Sequence, residues 1–159
     1  MYVGKPVILN NFKRRGTSDT TIEKFLVNED AKYTDNNSHA MLAMDCLSFR
    51  NQMHVFHWQT EVGDAHKALG DFYDDFLDQV DNLMEIVMGK YGRYSVKAVG
   101  TLKPLQDLKD VKIEEVIGIF LADFKQYRDE VYKGDPEIVN VMDEIVASTE
   151  KLKYLLTMS

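Results

Sequence analysis

From Ala65 to Lys90 the apolar side chains Leu69, Tyr73, Phe76, Val80, Leu83, Met84 and Val87 recur at intervals of three and four. This is the period of a helix, and it is incompatible with the strict alternation of a half-buried strand. The run stops near Gly89 and Gly92. A helix with one apolar side needs partners to bury it, and three further segments supply them. Residues Ser38 to about Thr60 follow the cap-rich stretch "TDNNS", contain no Gly or Pro, and set Leu42, Cys46, Phe49, Met53 and Phe56 on one arc. Opposite that arc, Ser48, Gln52 and Gln59 form a polar strip so narrow that it implies burial on more than one side. Ile113, Val116, Phe120, Phe124, Tyr127 and Val131 mark a third helix. A fourth opens with Asp135 as N-cap and Pro136 at its first position, and continues through Ile138, Met142, Ile145, Leu152 and Leu155.

The connections set the topology. The short turn "TEVGD" makes the first two helices antiparallel neighbours, whereas "YGRYSVKAVGTLKPLQDLKD" is longer than a link between neighbouring helices requires. The expected fold is therefore all-α: a ferritin-like four-helix bundle over residues 36–159, with a long crossover between the second and third helices. Residues 1–35 show no sustained period beyond a short helical stretch, "TTIEKFLV", and are expected to form an irregular arm.

Composition excludes several functions. A single cysteine forms no internal disulfide, and no signal-peptide pattern or long apolar run is present, so a soluble cytoplasmic protein with no membrane partner is expected. The formal net charge of −7 opposes broad adhesion to nucleic acid. "KRR" at 13–15, with Lys5, makes the arm mildly basic, but Asp19, Glu23, Glu29 and Asp30 offset it, which disfavours DNA as a partner. Glycine-rich phosphate loops, GxSxG elbows, CxxC pairs and a cysteine–histidine nucleophile pair are all missing.

What remains is the distribution of histidine. "HVFHWQTEVGDAH" at 54–66 holds three of the four in the chain, the other being His39 in the first turn of its helix, to which no role is assigned. His54 and His57 lie three apart and are neighbours on a helix, and His66 opens the second helix on its apolar side. Asp81 and Glu85 border the apolar stripe of that second helix, about 20 Å or more beyond His66 at 1.5 Å per residue. One subunit cannot easily assemble them. A two-fold partner packed antiparallel could bring the His66 end of one chain to the Asp81 and Glu85 end of the other. Such a nitrogen–oxygen set suits iron, zinc or manganese better than an all-oxygen calcium or magnesium cage. The remaining acids of the second helix, including Asp71, Asp74 and Asp78, otherwise read as a solvated face.

Over residues 36–88 the chain resembles the Dps proteins, ferritin-like miniferritins, in its His-Trp…Gly…His…Asp-x-x-x-Glu pattern, here "HVFHWQTEVGDAHKALGDFYDDFLDQVDNLME". The resemblance implies a ferroxidase that oxidises Fe(II) with peroxide or oxygen at a dimer-interface site and stores or detoxifies the iron. It also implies a homo-oligomer, in the family a shell of twelve subunits. His57 (or His54), His66, Asp81 and Glu85 match the family's ligands, and Trp58 its tryptophan. Gly70 stands where the family carries an aspartate ligand, so Asp71 or Asp74 would have to substitute; Ile86 replaces the usual arginine. The alternative is a ferritin-like helical assembly or binding protein that kept the fold and lost the metal site.

Overall fold

The computed structural model describes residues 33–34, 37–97, 99 and 101–159. Apart from Tyr33 and Thr34, the expected arm, including "KRR" and "TTIEKFLV", lies outside them. All described elements belong to the compact unit Lys32–Ser159. The four helices are α1 (Asn37–Gln59), α2 (Gly63–Tyr91), α3 (Ile113–Gln126) and α4 (Pro136–Leu156). Each begins within two residues of its expected start, so the fold is all-α as the periodicity requires. Tyr33–Thr34 (β1) and Arg93–Tyr94 (β2) add a two-residue parallel pairing in which Tyr33 opposes Arg93.

Helix α2 packs on both α1 and α4, and α3 closes the square against the same two helices. Directions follow from which ends meet. Gln79 near the middle of α2 accepts a hydrogen bond from Ser148 on α4, and Lys90 at its end reaches Glu137 at the start of α4, so these helices are antiparallel. Phe49 stacks on Phe120 while Asp45 meets Tyr127, so α1 and α3 are antiparallel as well. Helices α2 and α3 therefore run parallel on one diagonal, and only a connection spanning the length of the bundle can join them.

The core is aromatic at mid-height. Phe49 and Phe120 stack at 3.8 Å and 3°, with Phe76 edge-on to both at 5.5 and 5.7 Å. The edge contacts of Phe76 add to simple area burial. Leu42, Met53, Leu69, Leu83, Ile117, Met142 and Ile145 extend the core above and below with no solvent exposure. Cys46 sits among them, its thiol pushed well above its ordinary range by burial and then by the Asp45 carboxylate, which makes it a packing residue.

The polar strip of α1 explains the crossover. Gln52, 6% exposed, donates from Nε2 to the Gln106 carbonyl and accepts the Gln106 N–H at Oε1, both at 2.8 Å. One turn earlier, Ser48 Oγ accepts the Lys103 N–H at 2.9 Å; two turns later, Gln59 Oε1 accepts the Leu108 N–H at 2.7 Å. Residues 103–108 thus run along α1, and side chains at near-helical spacing satisfy a backbone that has no ladder of its own. The strip is narrow because it faces chain, not water.

Two details depart from expectation. The third helix does not continue unchanged to Val131: Tyr127–Val131 widens into a π turn, closed by the Tyr132 N–H donating to the Tyr127 carbonyl at 3.2 Å. Asp135 stands at the N-cap of α4, but its side chain makes no cap hydrogen bond. Its carboxylate takes Lys90 Nζ at 2.5 Å and the Tyr91 hydroxyl instead, and those bonds, Lys90 foremost, hold it below the usual carboxylate range. A charge-assisted bond outcompetes a neutral N–H.

His39 belongs to the same end of the bundle. It is 1% exposed, shares a 2.6 Å hydrogen bond with the Tyr132 hydroxyl, and lies 4.7 Å from the Tyr91 ring. Burial lowers its pKa, and the Asp135 carboxylate only partly opposes this. With a folded pKa below the unfolded value of about 6.5, the unfolded chain takes up the proton first. The neutral ring's contribution is therefore complete above pH 6.5 and lost as pH falls through the lowered value. Urea unfolding should show lower stability at pH 5.5 than at 7.5, and His39→Gln should reduce that step, the remainder coming from His54, whose pKa is also lowered.

Candidate functional site

Thr60–Val62 link α1 to α2, and the Thr60 N–H still bonds the Phe56 carbonyl at 2.9 Å. This tight exit brings the last turn of α1 against the first turn of α2. His57 Nδ1 lies 2.7 Å from the His66 carbonyl oxygen, and His66 Nδ1 lies 2.8 Å from the His57 carbonyl oxygen. A carbonyl can only accept, so each ring carries a proton on Nδ1, and in the neutral imidazole Nε2 is the atom that keeps the lone pair. The rings stack at 3.8 Å and 25°. His66 is exposed and His57 half-buried.

Gly70 leaves room for the His57 ring. A Cβ there would lie 3.0 Å from His57 Cε1 and 3.2 Å from its Nδ1. The His57 ring occupies the space a side chain at 70 would need, so the position that departs from the Dps pattern is filled by an imidazole of the neighbouring helix.

His54 is placed differently. It stacks on Tyr73 at 3.9 Å and lies 4.3 Å from Trp58, with its Nδ1 3.3 Å from Arg50 Nη1. The Arg50 guanidinium also sits 4.9 Å over the Tyr73 ring. Arginine only donates, so Nδ1 of His54 accepts and the ring proton falls on Nε2, the reverse of the other two. Partial burial, then Arg50 and His57, hold His54 below its ordinary pKa against the opposing pull of Asp74. The ring centroids of His54 and His57 are 6.2 Å apart.

Apart from the pull of Asp74 on His54, the carboxylates are not gathered with the imidazoles. Asp71 pairs with Lys67 at 2.5 Å on the surface of α2, a contact of little energetic weight when both groups are so exposed. Asp74 is exposed and, with Asp71, borders a cleft against α4. Asp81 and Glu85, which border the apolar stripe of α2, are exposed in the single chain. At 1.5 Å per residue they lie about 22 Å and more along α2 from His66. Among the described residues of one chain, no group of three or more His, Cys, Asp or Glu side chains is placed to hold a metal ion. The open face of α1, with Trp58 68% exposed and Leu47 38%, runs beside the imidazole corner.

A family model described as "Family of unknown function (DUF5856)" matches residues 57–156. The chain belongs to this family. The matched span begins at His57 and ends at the last residue of α4, so it takes in His66, Gly70, Asp81 and Glu85 and leaves His54 outside. No curated protein and no solved structure matches the chain.

Sequence reasoning reached the histidine interval but missed two features of it. Gly70 read as a lost ligand, because a one-dimensional pattern does not reveal which ring fills the space. The opposite tautomers of His54 and His57 depend on Arg50 and on the His66 carbonyl; the first of these lies four residues before His54 and was a readable signal.

Proposed function

We propose that the chain is a Dps-like member of the ferritin-like superfamily. It binds Fe(II) between two copies, passes its electron to peroxide or oxygen, and stores or detoxifies the ferric product. The observation that carries this reading is the reciprocal bonding of His57 and His66. Imidazoles that ligate metals are commonly held by an Nδ1–H to a carbonyl, leaving Nε2 oriented for the ion. His57 and His66 are the nitrogen ligands in this reading. Asp81 and Glu85 of a second copy supply the oxygen ligands, since their own chain holds them too far away. Zinc or manganese suits the same donor set.

The arrangement of two antiparallel helix pairs, with parallel α2 and α3 joined by a full-length crossover, supports the ferritin-like assignment. The exposed Trp58 and Leu47 supply a surface for the second copy, which leads to a homodimer unit and, by the resemblance, a closed shell. His54, with its proton on Nε2, serves as a packing residue beside the site. Asp71 is engaged by Lys67, and Asp74 is the more available acid for completing the shell.

The test is anaerobic addition of Fe(II) to metal-free protein, followed by peroxide, with ferric absorbance compared to a protein-free control. Acceleration that His66→Ala and Glu85→Gln each abolish is the expected result. Wild-type protein that neither binds Fe(II) nor accelerates its oxidation would leave the second reading, an assembly that kept the fold without the chemistry. The observation favouring that reading is Gly70, whose space holds a ring in place of a carboxylate.

A further inference from the structure

A second feature lies on the opposite side of α1, between α1, α3 and the crossover. A cleft of about 150 Å³ opens there, with a base formed by Phe49, Val116 and Phe120 and a rim that includes Ile119 and Pro104. A dry apolar cavity of about that size accommodates a benzene ring. Ile119 is 63% exposed on the rim, so the apolar lining continues to the surface.

One end of the cleft is charged. Asp45 accepts the Tyr127 hydroxyl at Oδ2, 3.1 Å, and Lys103 Nζ at Oδ1, 2.9 Å; Asp123 Oδ2 lies 4.0 Å from the same Nζ. Two carboxylates thus share one ammonium. The Lys103 side chain is 61% exposed while that of Asp45 is only 21% exposed. The cation is the replaceable member, because the backbone at Lys103 is held separately by Ser48. Tyr127 reaches Asp45 from the first residue of the π turn, a widened turn that proteins often retain at functional positions.

We propose that this cleft binds a small amphipathic cation, an arylalkylamine or similar organic amine. Its apolar body lies against Phe49, Val116, Ile119 and Phe120, and its ammonium between Asp45 and Asp123 where Lys103 Nζ now sits. The complementarity is one of exchange: an ammonium in the place of Lys103 Nζ keeps both carboxylates paired, a neutral alcohol would leave them unpaired, and an anion would reach only an ammonium that two carboxylates already neutralise. This site is independent of His57 and His66.

Isothermal titration of the full chain with 2-phenylethylammonium, 2-phenylethanol and 3-phenylpropanoate tests the proposal. Saturable binding of the amine at one site per chain is expected, about tenfold or more tighter than either other probe. Asp45→Asn should weaken the amine about tenfold, and Lys103→Ala should tighten it by removing the internal competitor. Ile119→Lys, at an exposed position that preserves folding, should abolish binding, with circular dichroism confirming helix content. Equal affinity for amine and alcohol, amine binding unchanged by Asp45→Asn or Ile119→Lys, or weaker binding in Lys103→Ala would each overturn it.

Discussion

Replacing Gln52 with leucine is expected to destabilise the protein by about 2–3 kcal/mol, although leucine is the better hydrophobe for a buried position. The side chain is 6% exposed and makes both of its hydrogen bonds to the backbone of Gln106. Leucine would take away the partner of one N–H and one carbonyl of the crossover where it lies along α1. The cost of an unsatisfied group exceeds the gain from the added apolar area. Urea unfolding monitored by circular dichroism measures the loss. Ser48→Ala should cost less, because it removes a single bond, to the Lys103 N–H. A Gln52→Leu variant as stable as wild type would mean that the crossover is held by something other than this strip.

The second large effect concerns Gly70, where pattern and geometry predict opposite outcomes. By the Dps pattern, Gly70→Asp restores a missing ligand and should strengthen metal binding. By the structure, a Cβ at this position would lie 3.0 Å from His57 Cε1, so the ring must give by a few tenths of an ångström, against its bond to the His66 carbonyl. Loss of the contact that orients a ligating imidazole typically costs about 10–100-fold in metal affinity. Gly70→Asp should therefore weaken binding by that factor while leaving helix content unchanged, as anaerobic Fe(II) titration of both proteins would reveal. Tighter binding in Gly70→Asp would assign position 70 a ligand role and remove the rationale for the His57–His66 pair.

The fold was legible because its information is local and periodic. Leu69, Phe76, Val80, Leu83 and Val87 announce α2 by spacing alone, and Asp135–Pro136 announces the start of α4. The polar strip of α1 was legible as a strip, but not as the seat of the crossover: residues 103–108 carry no period of their own, so nothing in them names their partner. The π turn was invisible for a related reason, since one inserted residue in a helical run leaves the apolar spacing around it nearly intact. His39 carried no pattern with Tyr91 at the end of α2 or with Tyr132 and Asp135 in the connection before α4, which the bundle brings to the same end.

The candidate site divides along the same line. The clustering of His54, His57 and His66 is a sequence fact, and the distance from His66 to Asp81 and Glu85 follows from helix rise. Which imidazole presents a free Nε2 depends on carbonyls and on Arg50, and that required coordinates. The exposure of Asp81 and Glu85 in a single chain sharpens the point: they serve a metal site only if another copy comes to them.

That last dependence is the central claim, and mixing two inactive variants tests it directly. In the proposed site His66→Ala removes a nitrogen ligand and Glu85→Gln an oxygen ligand, so each variant alone should be inactive in Fe(II) oxidation. Co-refolded in equal amounts, half of the two-fold pairs combine the variants, and in each of those one of two sites draws an intact His66 from one chain and an intact Glu85 from the other. Recovery to about a quarter of the wild-type rate is the predicted result. Two variants that are each inactive alone and remain inactive when mixed, in dimers verified as hybrid, would contradict a site shared between chains.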